Sequence, residues 1–411
     1  MQQPELLPHL FRTEYRKIIA VLCKRFGFDE METAEDIASD TFMTAAQTWG
    51  LQGIPQNPVA WLYTVAKNKA SNFLKRQATF HTKVVKETAT PENASTVPEY
   101  EIDLSPQNIN DSQLQMMFAI CHPAIAPQAQ IGLSLRILCG FGIEEIADAF
   151  LTNKETINKR LHRAKEKLRS ENIPIALPDL ADIDDRLGAV LATLYLLFSE
   201  GYYSISNNKT LRKELCFEAM RLCYMLVENK QTNKPPVNAL LSLMCFHASR
   251  FEARMNKQGE LILYEEQDTS LWDADLISKG GYFLNLSASG NQLSKYHLEA
   301  AIAYWNTQKD DTKEKWENIL QLYNRLLQIE YSPMAALNRT FALSKANGKP
   351  EAIIEAEKLN LINNHFYFTL LGELYTGMDN LKARDHLEKA LTLAKTQTDK
   401  QTIQKKIDRL S

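Results

Sequence analysis

Residues 142–169, GIEEIADAFLTNKETINKRLHRAKEKLR, decide how this chain is read. They hold two amphipathic runs with a polar break between them. In the first, Ile143, Ile146, Ala147 and Phe150 fall at i, i+3, i+4 and i+7, which aligns them on one side of a helix. Leu151-Thr152-Asn153 interrupts the pattern, and Thr152 or Asn153 can cap the helix that follows. In that helix Ile157, Leu161, Ala164 and Leu168 form a second apolar stripe. Its other faces are cationic: Lys154, Lys159, Arg160, Arg163, Lys165, Lys167 and Arg169 stand against only Glu155 and Glu166.

Helix, short turn and basic helix make the layout of a helix-turn-helix, whose second helix lies in a DNA major groove. Exposed side chains there reach base edges, and flanking cations neutralise phosphates. A solvated helix of a bundle has the same local pattern, so the rest of the chain decides between the two.

The chain has 411 residues and a formal net charge of -3, with 45% hydrophobic and 24% charged residues. That length exceeds one ordinary core and points to two or three domains. No stretch approaches the roughly 18–20 apolar residues of a membrane span. The N-terminal MQQPELLPHLFRTEYRK lacks the layout of a secretory signal. These features place the protein in the cytoplasm, without a membrane partner. The six cysteines are scattered and form no CxxC pair, so they read as buried reduced thiols. Cys121-His122 has no second ligand pair at a useful spacing, and neither a metal nor a cofactor is expected. Helical periodicity dominates and period-two alternation is nearly absent, which makes the chain all-α.

Helical patterns fill residues 6–26, 32–49 and 58–76. Residues 86–110, KETATPENASTVPEYEIDLSPQNIN, are polar, acidic and punctuated by proline, as in a flexible linker. Helices resume from 111 to 169, and ENIPIALPDL at 171–180 reads as a second boundary. Near the C-terminus, Leu371-Gly372, Tyr375, Ala383, Leu387 and Ala390-Leu391 follow the pattern of a tetratricopeptide repeat. Leu337 and Phe341 precede Leu371 and Tyr375 by the 34-residue period of such repeats. A helical-hairpin array is the expectation there, with an irregular helical bundle as the other reading.

Residues 58–76, PVAWLYTVAKNKASNFLKR, carry Lys67, Lys69, Lys75 and Arg76 and no acid, interleaved with Trp61, Tyr63 and Phe73. Cations beside aromatics suit unpaired bases, although Trp61 and Phe73 fit a core equally well. Upstream, DEMETAEDIASD at 29–40 is acidic throughout. Such a helix repels DNA and faces a protein or solvent.

In combination these blocks resemble extracytoplasmic-function sigma factors, group IV of the sigma-70 family. AEDIASDTF at 34–42 resembles region 2.2, and AWLYTVAKNKASNFLKR at 60–76 resembles regions 2.3–2.4. The opening stretch is similar to region 4.2, including TINKRLHRA at 156–164. Further blocks, among them LYLLFSEGYY at 194–203 and EEQDTSLWD at 265–273, resemble the subgroup with a tetratricopeptide-like C-terminal extension. The resemblance implies two small helical sigma domains, a region 2 bundle at 5–80 and a region 4 helix-turn-helix at 111–172. A linker at 81–110 joins them, and an extension at 180–411 regulates them in cis.

It also implies partners and contacts. The partners are core RNA polymerase, through its β′ clamp helices and β flap, and promoter DNA. A peptide or small-molecule ligand would sit on the extension. The -35 contacts map onto Lys154, Asn158, Lys159, Arg160, His162 and Arg163, with Arg160 on phosphate. The -10 contacts map onto Lys67, Asn68, Lys75 and Arg76, with residues 50–57 as a base-capturing loop. Glu35, Asp36 and Asp40 would dock on polymerase. Catalysis would belong to the polymerase, since no nucleophile–base spacing emerges in this chain. A stand-alone helix-turn-helix regulator leaves the acidic helix and residues 58–76 unexplained. An interaction scaffold would make the repeats the main function and the N-terminal half vestigial.

Overall fold

The computed structural model describes residues 3–86, 101–203, 209–254, 262 and 264–410. Among them eighteen α-helices occur and no strand. The chain divides into two compact units, Met1–Thr232 and Asn233–Ser411.

Unit 1 begins with α1 (Gln3–Phe26), α2 (Met31–Gln52) and α3 (Pro58–Lys86). Tyr15, Ile18, Ile19 and Leu22 of α1 are fully buried. Rings join the three helices: Phe11 meets Phe42 edge-on at 5.1 Å, Phe26 lies 5.3 Å from Phe73, and Trp49 meets Trp61 at 5.4 Å. Tyr63 donates to the buried Glu14 carboxylate at 2.6 Å. Burial, and then that bond, push the Tyr63 phenol well above its ordinary pKa.

Of the expected linker, residues 87–100 lie outside the described residues. Its two ends are helical, because α3 runs to Lys86 and α4 (Pro106–Ile120) starts before residue 111. Ser105 caps α4 by accepting from Asn108 N, with Pro106 in the first turn. Next come α5 (Pro127–Leu133), a π-helical continuation over Ser134–Leu138, α6 (Ile143–Ala149) and α7 (Lys154–Ser170). Between the π-helical segment and α6, Gly140 takes φ +77°, and a Cβ there would lie 2.9 Å from the Arg12 carbonyl oxygen. Only glycine lets this turn press against α1.

Two more helices complete unit 1, α8 (Ile183–Tyr203) and α9 (Lys209–Glu228). They pack on each other and against α4, α5 and α6. Arg186 donates to the Phe118 carbonyl at 2.7 Å, and Thr193 donates to Gln130 Oε1 at 2.7 Å. The division of the chain therefore falls after Thr232 and not at residue 180.

Unit 2 contains α10 (Pro235–Ala248), α11 (Ala274–Ser287), α12 (Lys295–Trp305), α13 (Lys313–Ile329), α14 (Pro333–Ala346), α15 (Lys349–Leu359), α16 (His365–Tyr375), α17 (Asn380–Leu393) and α18 (Gln397–Asp408). Each of these helices packs on the next, and short connections end in capping residues such as Thr312, Ser332, Asp379 and Thr396. At Gly372 a Cβ would stand 2.6 Å from Leu387 Cγ, so α16 and α17 approach closely over Ala383 and Leu387. In the EEQDTSLWD block, Asp273 caps α11 by accepting from Leu276 N, and Trp272 is buried.

A chain ending at Thr232 is expected to melt in one cooperative transition. Ending it at Pro178 removes Val190, Leu191, Leu194 and Leu197, all buried. Each such side chain contributes about 1.5–3 kcal/mol. With roughly 2–4 °C per kcal/mol, the midpoint followed by circular dichroism falls by at least about 10 °C. Equal midpoints for the two truncations would mean that α8 and α9 are accessory.

Candidate nucleic-acid interface

The α6–α7 pair, where a helix-turn-helix is expected, is built by local rules. Asn153 Oδ1 accepts from Thr156 N at 2.8 Å and starts α7, while Leu151 crosses the turn in a left-handed conformation, φ 48°. Ile157, Leu161, Ala164 and Leu168 are buried, and Ile146, Ala147 and Ala149 of α6 are buried with them. This stripe fixes the rotation of α7, which leaves Lys154, Asn158, Lys159, His162 and Arg163 exposed. Lys154 pairs with Glu144, and Lys159 pairs with Glu155 at 2.6 Å. Both are exposed pairs, of the kind that holds a side chain only weakly. Arg160 differs: it is half-buried, its guanidinium lies 5.2 Å from the Phe150 ring centroid, and its Nη1 is buried without a hydrogen bond.

Further along α7, in the row that begins with Asn158 and His162, Lys165 and Arg169 meet α2. Lys165 Nζ stands 2.6 Å from Glu35 Oε2, with both side chains nearly enclosed, at 11% and 14% exposure. Arg136 Nε approaches the other Glu35 oxygen at 3.6 Å. Arg169 reaches Asp29 at 3.5 Å and Glu32 at 3.7 Å, and donates to the carbonyls of Phe28 and Asp29. A cleft of about 490 Å³ lies between the two helices. Glu32 and Glu35 line it from α2, and Asn158, Lys159, His162 and Arg163 line it from α7. The structure thus brings four of the expected DNA contacts to one of the expected polymerase contacts. Asp36 and Asp40 lie elsewhere on α2, exposed, with Asp40 3.2 Å from Lys69.

On α3, Asn68, Lys75 and Arg76 are exposed and Lys67 is half-buried. Trp61 and Phe73 are engaged with Trp49 and Phe26, as a core requires. The loop before α3 is shorter than expected, because α2 continues to Gln52. Asn57 Oδ1 accepts from Ala60 N at 3.0 Å and opens α3.

Among the described residues, no cluster of three or more His, Cys, Asp or Glu is placed to hold a metal ion, and no helix is long and apolar enough to cross a membrane. All six cysteines are buried and unbridged, and burial pushes the Cys121 thiol up to about 11.

Over 394 residues the chain is 30% identical to the uncharacterized protein R00370 of Rhizobium meliloti (strain 1021), which spans 93% of this chain and 91% of that protein. The chain belongs to the family of that protein. Residues 10–80 match Sigma-70 region 2. The chain is also 25% identical over 170 residues to RNA polymerase sigma factor YlaC of Bacillus subtilis (strain 168), covering 41% of this chain and 93% of that protein. Residues 186–288 match a family of unknown function, DUF6596. No solved structure matches.

Region 2 is thus α1–α3, and it is gripped from two sides. Besides the α7 edge, α9 holds α1: Arg12 pairs with Glu145 of α6 and Glu214 of α9, and Arg16 chelates Glu218 at 2.6 Å to both oxygens. Arg221 donates to the Leu138 carbonyl at 2.7 Å. Against the effect of burial, Glu145 and Glu214 hold the Arg12 pKa above its ordinary value. Sequence reading missed these residues. The available signal was spacing, since Arg12 and Arg16 form one row on α1, and Glu214 and Glu218 form a matching row on α9.

The Arg16–Glu218 pair is nearly enclosed, with side chains 9% and 16% exposed. Arg16→Met leaves the Glu218 charge without this partner in a poorly solvated place, a loss of about 3–5 kcal/mol for a fully buried pair. Unit 1 is expected to melt about 10 °C lower by calorimetry, at roughly 2–4 °C per kcal/mol. A shift under about 2 °C, below one kcal/mol by the same conversion, would show that the pair is incidental.

Proposed function

We propose that the chain is a sigma factor that binds core RNA polymerase and directs transcription from promoters with defined -35 and -10 elements. One observation carries this reading: a sigma-70 region 2 and a capped helix-turn-helix with an outward cationic face occur in a single unit. In this role Asn158, Lys159, His162 and Arg163 read base edges of the -35 duplex. Lys154 and Arg160 flank them on phosphate, with Phe150 orienting the Arg160 guanidinium. On α3, Lys67, Asn68, Lys75 and Arg76 hold the melted -10 strand, where exposed amide and cationic groups suit bases and backbone.

Glu35, Asp36 and Asp40 dock on the β′ clamp helices, and the helix-turn-helix domain meets the β flap. The chemistry of RNA synthesis then belongs to the polymerase, in the cytoplasm. The paired helices after residue 180 act as a tetratricopeptide-like extension that modulates the sigma core. Their long face suits a peptide or small-molecule ligand.

The test is promoter-dependent run-off transcription with purified core polymerase and the full chain. Lys159→Ala with Arg163→Ala is expected to leave folding intact, because both side chains are exposed. A lost bidentate base contact is worth about 1–3 kcal/mol, so transcription falls about 5- to 150-fold. A lost phosphate contact lowers the salt slope of binding by about 0.9 on every sequence alike. Unchanged transcription removes α7 as the reader. Duplex binding without any polymerase binding identifies a stand-alone regulator instead.

A further inference from the structure

Nothing among the proposed promoter or polymerase contacts uses the block EEQDTSLWD at 265–273. Tyr264, directly before it, gathers two buried cations within unit 2. The Arg250 guanidinium lies 5.5 Å from the Tyr264 ring centroid, and Lys315 Nζ of α13 lies 5.4 Å from it. Lys315 donates to the Tyr264 hydroxyl at 3.0 Å and to the Gln308 carbonyl at 2.9 Å. That hydroxyl donates in turn to the Asn306 carbonyl at 2.9 Å. The Trp272 ring stands 6.3 Å from that of Tyr264. Arg250 and Trp272 are each 8% exposed and Lys315 only 2%.

Among the described residues, neither cation pairs with a carboxylate; Lys315 has only neutral acceptors, and Arg250 Nε is buried without a hydrogen bond. Acids nearby are engaged elsewhere. Asp268 accepts from Ser270 N, Asp273 caps α11, Glu266 pairs with Arg409, and Asp311 accepts from Trp316 Nε1. Trp272 Nε1 is a third buried donor without a partner, and Lys315 uses two of its three N–H groups. A buried charge is costly unless an opposite charge compensates it. Contact with an aromatic ring offsets part of that cost, and arginine cannot shed its proton to avoid it.

Two cations and a free indole N–H suit a compact oxyanion with two negative charges. A phosphate group carries nearly that charge at neutral pH and has three strong acceptor oxygens. Arginine meets such a group with paired N–H donors. We propose that Arg250, Lys315 and Trp272 form a binding site for the phosphate group of a small molecule. That a ligand belongs on the extension is part of the function proposed above, whereas the place and charge of the site rest on unit 2 alone.

The test is isothermal titration calorimetry of the full chain, in a buffer free of other oxyanions, with inorganic phosphate, glycerol 3-phosphate and acetate. Wild type is expected to bind at least one of the two phosphates with a Kd of about 1 mM or below. Tighter binding of glycerol 3-phosphate identifies a phosphate monoester as the ligand, and tighter binding of inorganic phosphate identifies the free ion. Arg250→Gln weakens binding at least about 10-fold, as for a lost charged hydrogen bond. Trp272→Phe keeps a ring in place, removes only the N–H, and weakens binding about 2- to 12-fold. If Arg250→Gln loses its cooperative melt, Trp272→Phe is read alone. No saturable binding by wild type overturns the site. Equal binding by wild type and both variants assigns the phosphate to another cationic face and overturns it too, as does acetate binding as tightly as phosphate. Neither polymerase nor promoter enters the measurement, so a chain that binds phosphate here and fails in promoter-dependent transcription keeps the site and rejects the sigma reading.

Discussion

Glu35 is the constraint on which unit 1 depends. A carboxylate with so little access to water is stable only while cations compensate it. Lys165 and Arg136 do so, and both come from outside region 2. Arg136 belongs to the π-helical segment, where it also donates to the Phe141 carbonyl and the Tyr15 hydroxyl. One acid on α2 therefore sets where α7 lies and how the Gly140 turn meets α1. On the other side of α1, the Arg12 and Arg16 row receives Glu214 and Glu218 from α9. Region 2 is held between two charged seams of opposite sense, its acids facing α7 and its arginines facing α9.

The surplus of positive charge on α7 follows from this division of labour. A helix that only read DNA would need cations on the groove-facing side. Here Lys165 and Arg169 continue the row of Asn158 and His162 toward the C-terminal end of α7, and they face carboxylates and carbonyls. The near-neutral net charge of the chain fits the same picture, because part of the cationic charge is matched internally. The 186–288 family spans the two units, with α8 and α9 in one and α10 and α11 in the other. Of its first two helices, α9 holds α1 through Glu214 and Glu218, while α8 packs on α4, α5 and α9.

Much of this was legible in the sequence because it is local. The all-α class, the caps, the stripe of Ile157, Leu161, Ala164 and Leu168, and the outward position of Lys159 and Arg163 follow from spacing within a few turns. The close approach at Gly372 was also readable, from the run Leu371-Gly372 through Ala383 and Leu387. What was not legible is long-range. Nothing within 29–40 says that Glu35 meets Lys165, since any cation in the chain is a chemically acceptable partner. The prolines of 171–180 mark a connection, yet the apolar faces of α8 and α9 find their partners in α4 and α5, so the unit ends later. Arg160 looked like its neighbours by charge, but Phe150, at the far side of the turn, turns it inward.

The most direct measurement is zero-length carbodiimide coupling of the full chain, read by mass spectrometry, with and without core RNA polymerase. Glu35 and Lys165 both line the cleft, through which a small reagent can reach them, and their reacting atoms are 2.6 Å apart. In the free chain the expected product is an amide between Lys165 and Glu35. Polymerase in excess is expected to suppress it. Absence of that amide from the free chain, or its persistence at full yield in the polymerase complex, would contradict the account in which Lys165 holds Glu35 in the free chain and polymerase takes Glu35 on binding.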